Sequence, residues 1–149
     1  MKGLVVYHSV YGNTERLARA VASALEARGQ VTLVKAGDQA ALDWAGFDLV
    51  VLGAPIHKVG LSKEMKALVK EIPRKAFAGA RVATFETCCK EPAWQRGAAA
   101  KKMAAKARKV GGQLVAEPES FFVVGREGPL EEGDEERAKE WARALLEGL

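Results

Sequence analysis

The chain has 149 residues, 48% of them hydrophobic and 28% charged, with a formal net charge of +4. That length suits one domain with a sizeable core, and the composition is that of a soluble globular protein rather than a disordered or fibrous one. No apolar run is long enough to span a bilayer, and the apolar part of MKGLVVYHSV is too short and too soon polar for a secretory signal. The expectation is a cytoplasmic domain over 1–149 with no membrane insertion. Modest basicity alone does not select a class of partner.

In chain order, KGLVVY at 2–7 reads as a strand. TERLARAVASALEAR at 14–28 repeats Leu17, Val21 and Leu25 at helical spacing, and Gly29 stops it. VTLVK at 31–35 alternates, which predicts a less buried strand, and 38–46 reads as a short helical or irregular crossover. FDLVVLGAP at 47–55 is the most apolar strand in the chain, as expected of one covered on both faces, and Pro55 ends it. In 61–72, Met65, Leu68, Val69 and Ile72 share one side of a helix that Ser62 caps.

ARVATFET at 80–87 is the next strand, followed by a lysine-rich helix over 94–110. QLVAE and SFFVV are short extended pieces separated by Pro118. A loop over 125–134 leads to a final helix over 135–149, with Ala138, Trp141, Ala142 and Leu145 inward. Repeated strand–helix order predicts a parallel sheet with helical crossovers on both faces, a three-layer α/β domain. In such folds ligands sit beyond the carboxyl ends of strands, which singles out the loops 8–14, 54–61 and 87–94.

The first loop, HSVYGNT, has neither G-x-G-x-x-G nor G-x-x-x-x-G-K. Ser9 and Thr14 carry hydroxyls, Asn13 an amide, Gly12 permits close backbone turning, and the following helix offers free N–H groups. Without a lysine, this donor set suits a terminal monophosphate better than a triphosphate. It also suits an ordinary strand–helix turn capped by Thr14 or Asn13, and the loop alone leaves both readings open.

The second loop, Ala54-Pro55-Ile56-His57, forms a stiff segment suited to covering a flat ligand, with His57 either against it or in solvent. The third brings Cys88, Cys89, Lys90 and Trp94 to the same edge, and Trp94 reads more readily as a core residue at a helix start than as a ring neighbour. Adjacent cysteines form no disulfide framework, and with only His8 and His57 to add they do not suggest a structural zinc. Arg96 is wrongly spaced for a cysteine phosphatase loop, and a redox or structural thiol is the commoner case.

Taken together, the three loops resemble the flavodoxin-like family along essentially the whole chain. Ser9-Val10-Tyr11-Gly12-Asn13-Thr14 is similar to the family's S/T-x-T-G-x-T phosphate segment, with Tyr11 where threonine is usual. Gly53-Ala54-Pro55-Ile56-His57 resembles its G-S/A-P-I-aromatic segment, with His57 in the aromatic place. The resemblance implies a five-stranded parallel sheet of order 2-1-3-4-5 whose fifth strand is divided, and a non-covalently bound FMN. It assigns the phosphate to Ser9, Asn13, Thr14 and the Tyr11 backbone. It places the second loop, with Pro55, Ile56, His57 and Lys58, over one face of the ring; the backbone of Thr87, Cys88 and Cys89 is expected at the ring's polar edge, and Val10 and Gly12 complete the expected cofactor-binding set.

Catalytic and metal-binding residues are not assigned. The implied function is electron transfer with a redox partner protein or a small redox substrate. A quinone- or NAD(P)H-linked flavin oxidoreductase and an interaction module with weakened FMN binding are the alternatives. The chain differs from acidic electron carriers in its basic charge and in Lys58 and Lys90 beside the expected ring, which predict a less negative potential. The lysine run over 98–111 reads as a solvated helix face, with an acidic protein partner as the other reading and no module for nucleic acid.

Overall fold

The computed structural model describes residues 1–58 and 60–149. Six strands form one parallel sheet: β1 (Lys2–Tyr7), β2 (Gln30–Lys35), β3 (Leu49–Pro55), β4 (Arg81–Cys88), β5 (Gln113–Leu114) and β6 (Glu119–Phe122). The order is β2-β1-β3-β4-β5, and β6 also pairs with β4. The expected 2-1-3-4-5 arrangement is thus present, with its fifth position shared by two short strands. β5 meets the start of β4 at Arg81 and Val82, and β6 meets its end from Phe85 to Cys88.

Alternation along the strands divides the core in two. Leu4, Val6, Val50, Leu52 and Val82 face α2 (Lys63–Glu71) and α3 (Ala98–Lys109). Val5, Val51, Ala83, Phe85 and Phe121 face α1 (Asn13–Leu25) and α4 (Asp134–Leu146). Since successive side chains of a strand point to opposite faces, a central strand between two helical layers must be apolar throughout. β3 is buried from Leu49 to Ala54, whereas β2 lies at the sheet edge and keeps its alternating exposure.

Ser62 caps α2 by accepting the Met65 N–H at 3.2 Å. The lysine-rich helix starts later than its periodicity suggests. A short 3₁₀ turn, Ala93–Gln95, precedes it, and Gly97 at φ 87° separates the two. Gly97 takes a backbone conformation that side-chain-bearing residues resist, so the α-helix begins only at Ala98. Trp94 consequently lies on the turn and is 72% exposed, not in the core. None of the helices among the described residues is long and apolar enough to cross a membrane.

One glycine fixes how closely β3 and β4 are dressed. A Cβ on Gly53 would lie 2.2 Å from the Phe85 ring, and that ring is packed edge-on against Phe121 and Trp141. Gly53→Ala is therefore expected to destabilise the protein by about 1–3 kcal/mol through overpacking, read as a lowered urea midpoint with an unchanged slope.

Candidate functional site

The chain reverses direction across the sheet between β1 and β3, and a cleft of about 740 Å³ opens there beyond the carboxyl ends of β1, β3 and β4. Its volume is in the range of small-molecule sites. Of the residues singled out from the sequence, Val10, Tyr11, Asn13, Thr14, Pro55, Ile56, His57, Lys58, Thr87, Cys88 and Cys89 line this one cleft.

Ser9 and Gly12 do not line it but turn the chain from β1 into α1. Gly12 stands at φ 92° and opens α1 with no side-chain cap, so the first-turn N–H groups, which have no intrahelical partner, are not capped by a side chain either. The Gly12 N–H donates to Ser9 Oγ at 3.1 Å, which leaves the Ser9 hydroxyl proton free to donate. Asn13 Nδ2 donates to the Glu127 carbonyl at 3.1 Å, holding the loop after β6 against the start of α1. The Thr14 and Thr87 hydroxyls share a buried 2.8 Å hydrogen bond that ties the first loop to the third.

The second loop closes on itself by two backbone hydrogen bonds, His57 N–H to Gly60 O at 2.8 Å and Gly60 N–H to His57 O at 2.9 Å. Ile56 N–H donates to Thr87 O at 2.9 Å, so this loop and the third form one continuous wall. His57 and Lys58 are exposed at its rim.

The third loop is set from below by Glu86, which is wholly buried. Its carboxylate accepts the N–H groups of Gly97 (2.6 Å), Ala99 (3.1 Å) and Ala100 (3.1 Å), and the Ser120 hydroxyl at 2.9 Å. A carboxylate at a helix N-terminus is stabilised by the unpaired N–H groups and the helix dipole. Cys88 follows on the same face of β4. Burial, reinforced by the Glu86 carboxylate, pushes its thiol up to about 12, and such a thiol is not a nucleophile at neutral pH. Cys89 is partly exposed.

His8, at the end of β1, is also set by its surroundings. Burial holds it below the usual imidazole range, and Lys35 adds to this, while Glu64 at 3.8 Å opposes it.

A family model described as a flavodoxin domain matches residues 4–125. The chain belongs to the flavodoxin family. Flavodoxin 2 from Bacillus cereus is 23% identical over the whole of both chains with a TM-score of 0.82. Flavodoxin 1 from the same organism is 18% identical over all of this chain and 99% of its own, also at 0.82. A short-chain flavodoxin associated with a bacterial microcompartment is 20% identical over 99% of this chain and 98% of its own, at 0.77. At these identities the likeness speaks for the flavodoxin fold.

One sequence expectation changes here. Lys90 is not at the cleft: its ammonium pairs with Glu131 at 2.6 Å and lies over Phe122. The cationic group that the flavodoxin cleft does receive from that side is Arg126, on the loop after β6. Ser62, Lys63, Glu64, Glu91, Gln95 and Val123 also line the cleft without having been singled out. Periodicity marks 125–134 only as a loop, and Asn13 reaching Glu127 is a contact between residues distant in sequence.

Two measurements check this arrangement. At pH 8 a thiol reagent should label Cys89 alone in the folded protein, and Cys88 only after denaturation, as read by mass spectrometry. Glu86→Ala leaves three N–H groups and a hydroxyl unpaired in a dry interior and should cost roughly 3–5 kcal/mol, measured by urea unfolding.

Proposed function

We propose that this flavodoxin-family protein is an electron carrier that binds FMN non-covalently in the cleft between the first three loops. The observation that carries this reading is the bare amino end of α1, where Gly12 turns the chain and no side chain caps the helix. A dianionic phosphate gains most from such N–H groups and from the helix dipole, without needing a lysine. The Ser9 hydroxyl proton is free to join them.

The residues present also suit the ring. Pro55, Ile56 and His57 line the cleft together with Thr87, Cys88 and Cys89, on the continuous wall that the second and third loops form. The wall is stiff because its backbone N–H and C=O groups are paired with one another. Tyr11 lines the cleft and is 47% exposed. Bound FMN supplies one- and two-electron chemistry through its ring system. The protein's part is to position it, exclude water from its inner edge and set its electrostatic surroundings. Lys58, Lys63 and Arg126 face Glu64 and Glu91 around the cleft, a balance consistent with a less negative potential than an acidic carrier has. Cytoplasmic residence fits this role.

FMN should bind the purified protein saturably and give it the visible absorbance of a flavin. Riboflavin, which lacks the phosphate, should bind about tenfold or more weakly, because one charge-assisted hydrogen bond is worth about 1.5–3 kcal/mol. A colourless protein that FMN does not titrate would replace this reading with an interaction module. Rapid reduction of the bound flavin by NADH or NADPH without another protein would replace the carrier with a small oxidoreductase.

A further inference from the structure

A second cleft, of about 570 Å³, lies beside the first on the face of the sheet covered by α2 and α3. It is lined by five lysines: Lys58, Lys63, Lys66, Lys70 and Lys102. Among the described residues, carboxylates are absent from its lining. Lys63, Lys66 and Lys70 follow the i, i+3, i+7 spacing that aligns side chains on one side of a helix. Lys102 reaches over from α3, its Nζ lying 2.5 Å from where a Cβ on Gly60 would stand.

All five lysines are exposed. Among the described residues, none of their ammonium groups lies within 4.0 Å of a carboxylate. The acidic residues of α2 are directed elsewhere: Glu64 approaches His8 at 3.8 Å, and Glu71 accepts from Gln39 Nε2 at 2.6 Å. A chain with a net charge of only +4 thus concentrates uncompensated positive charge at one place. Like charges gathered so closely repel, and an anionic partner relieves that repulsion.

We propose that this lysine cleft is the docking surface for an acidic protein that exchanges electrons with the neighbouring site. The two clefts share His57, Lys58 and Lys63. A partner seated on the lysines therefore lies against the rim of the first cleft, and its redox role rests on the FMN reading above. The chemistry favours an acidic protein surface over a nucleotide. The lining holds no arginine to grip a phosphate by two bonds, and apart from the His57 imidazole no aromatic platform for a base. Lysine ammonium groups are compact and strongly hydrated, which suits a salt-sensitive encounter that steers carboxylates and releases them quickly. Exposed Val10 and Tyr11, which line the neighbouring cleft, supply the limited apolar contact that a transient redox interface needs.

The test uses decaglutamate as the probe, titrated into the whole protein by calorimetry, with FMN titrated in parallel. Decaglutamate should bind, and binding should weaken as salt is raised. The K66Q/K70Q/K102Q variant should lose about tenfold or more of that affinity while its FMN titration is unchanged. A variant of equal charge change on the opposite face, R28Q/K139Q/R143Q, should bind the probe like the unaltered protein. Equal weakening in both variants, or no binding at all, overturns the proposal, and FMN binding in the same samples then leaves the flavin reading standing. NADPH binding that displaces decaglutamate and is lost in the first variant overturns it in favour of a nucleotide site. Decaglutamate binding as expected without FMN binding keeps the acidic-partner surface and removes its redox role.

Discussion

The side chain of Glu86 has no contact with solvent, yet it carries a carboxylate in the middle of an apolar sheet. It is tolerated because the amino end of α3 supplies three N–H groups and β6 supplies a hydroxyl. These bonds fix several things at once. They set the start of α3 against β4, and they hold β6 beside the end of β4. They also confine 88–96 to a bridge between two anchored points. The next residue but one, Cys88, takes its high thiol pKa first from burial and then from this same carboxylate. A buried carboxylate is costly unless fully bonded, so the surrounding elements have little freedom to stand elsewhere.

Other polar residues of β4 extend the same scheme. Thr84 donates to Ala100 O on the α3 side, and Thr87 bonds Thr14 on the α1 side. β4 thus gathers the loops that make the first cleft. On the opposite layer, Arg137 spans Asp134, Glu119 and the Ser120 carbonyl, and its guanidinium lies over Phe121. That network keeps β6 in place from the other side. The cleft is therefore the product of a few buried polar bonds between elements far apart in the chain, with the apolar layers supplying the bulk of the burial.

Charge distinguishes the two clefts. The first mixes cations and carboxylates around a neutral donor cradle, whereas the second is lined by lysines without a carboxylate. Net charge describes neither, because α2 sorts its lysines to one side and directs Glu64 and Glu71 away from them.

The strands and helices along the chain were legible in the sequence because burial on one face or two leaves a period in the residues, as in β3 against β2; the sheet order was implied by the family resemblance. The turn into α1 was legible from Gly12, because few residue types tolerate its left-handed backbone. Periodicity did not reveal where Trp94 points, since a single left-handed glycine, Gly97, moves the helix start past it. Nor did it show that Lys90 is held by Glu131, that Arg126 reaches the cleft, or that lysines from two helices and a loop converge. Local pattern determined the elements and the glycine turn into α1. Only tertiary structure decided which charges meet, because those contacts join residues that no local period relates.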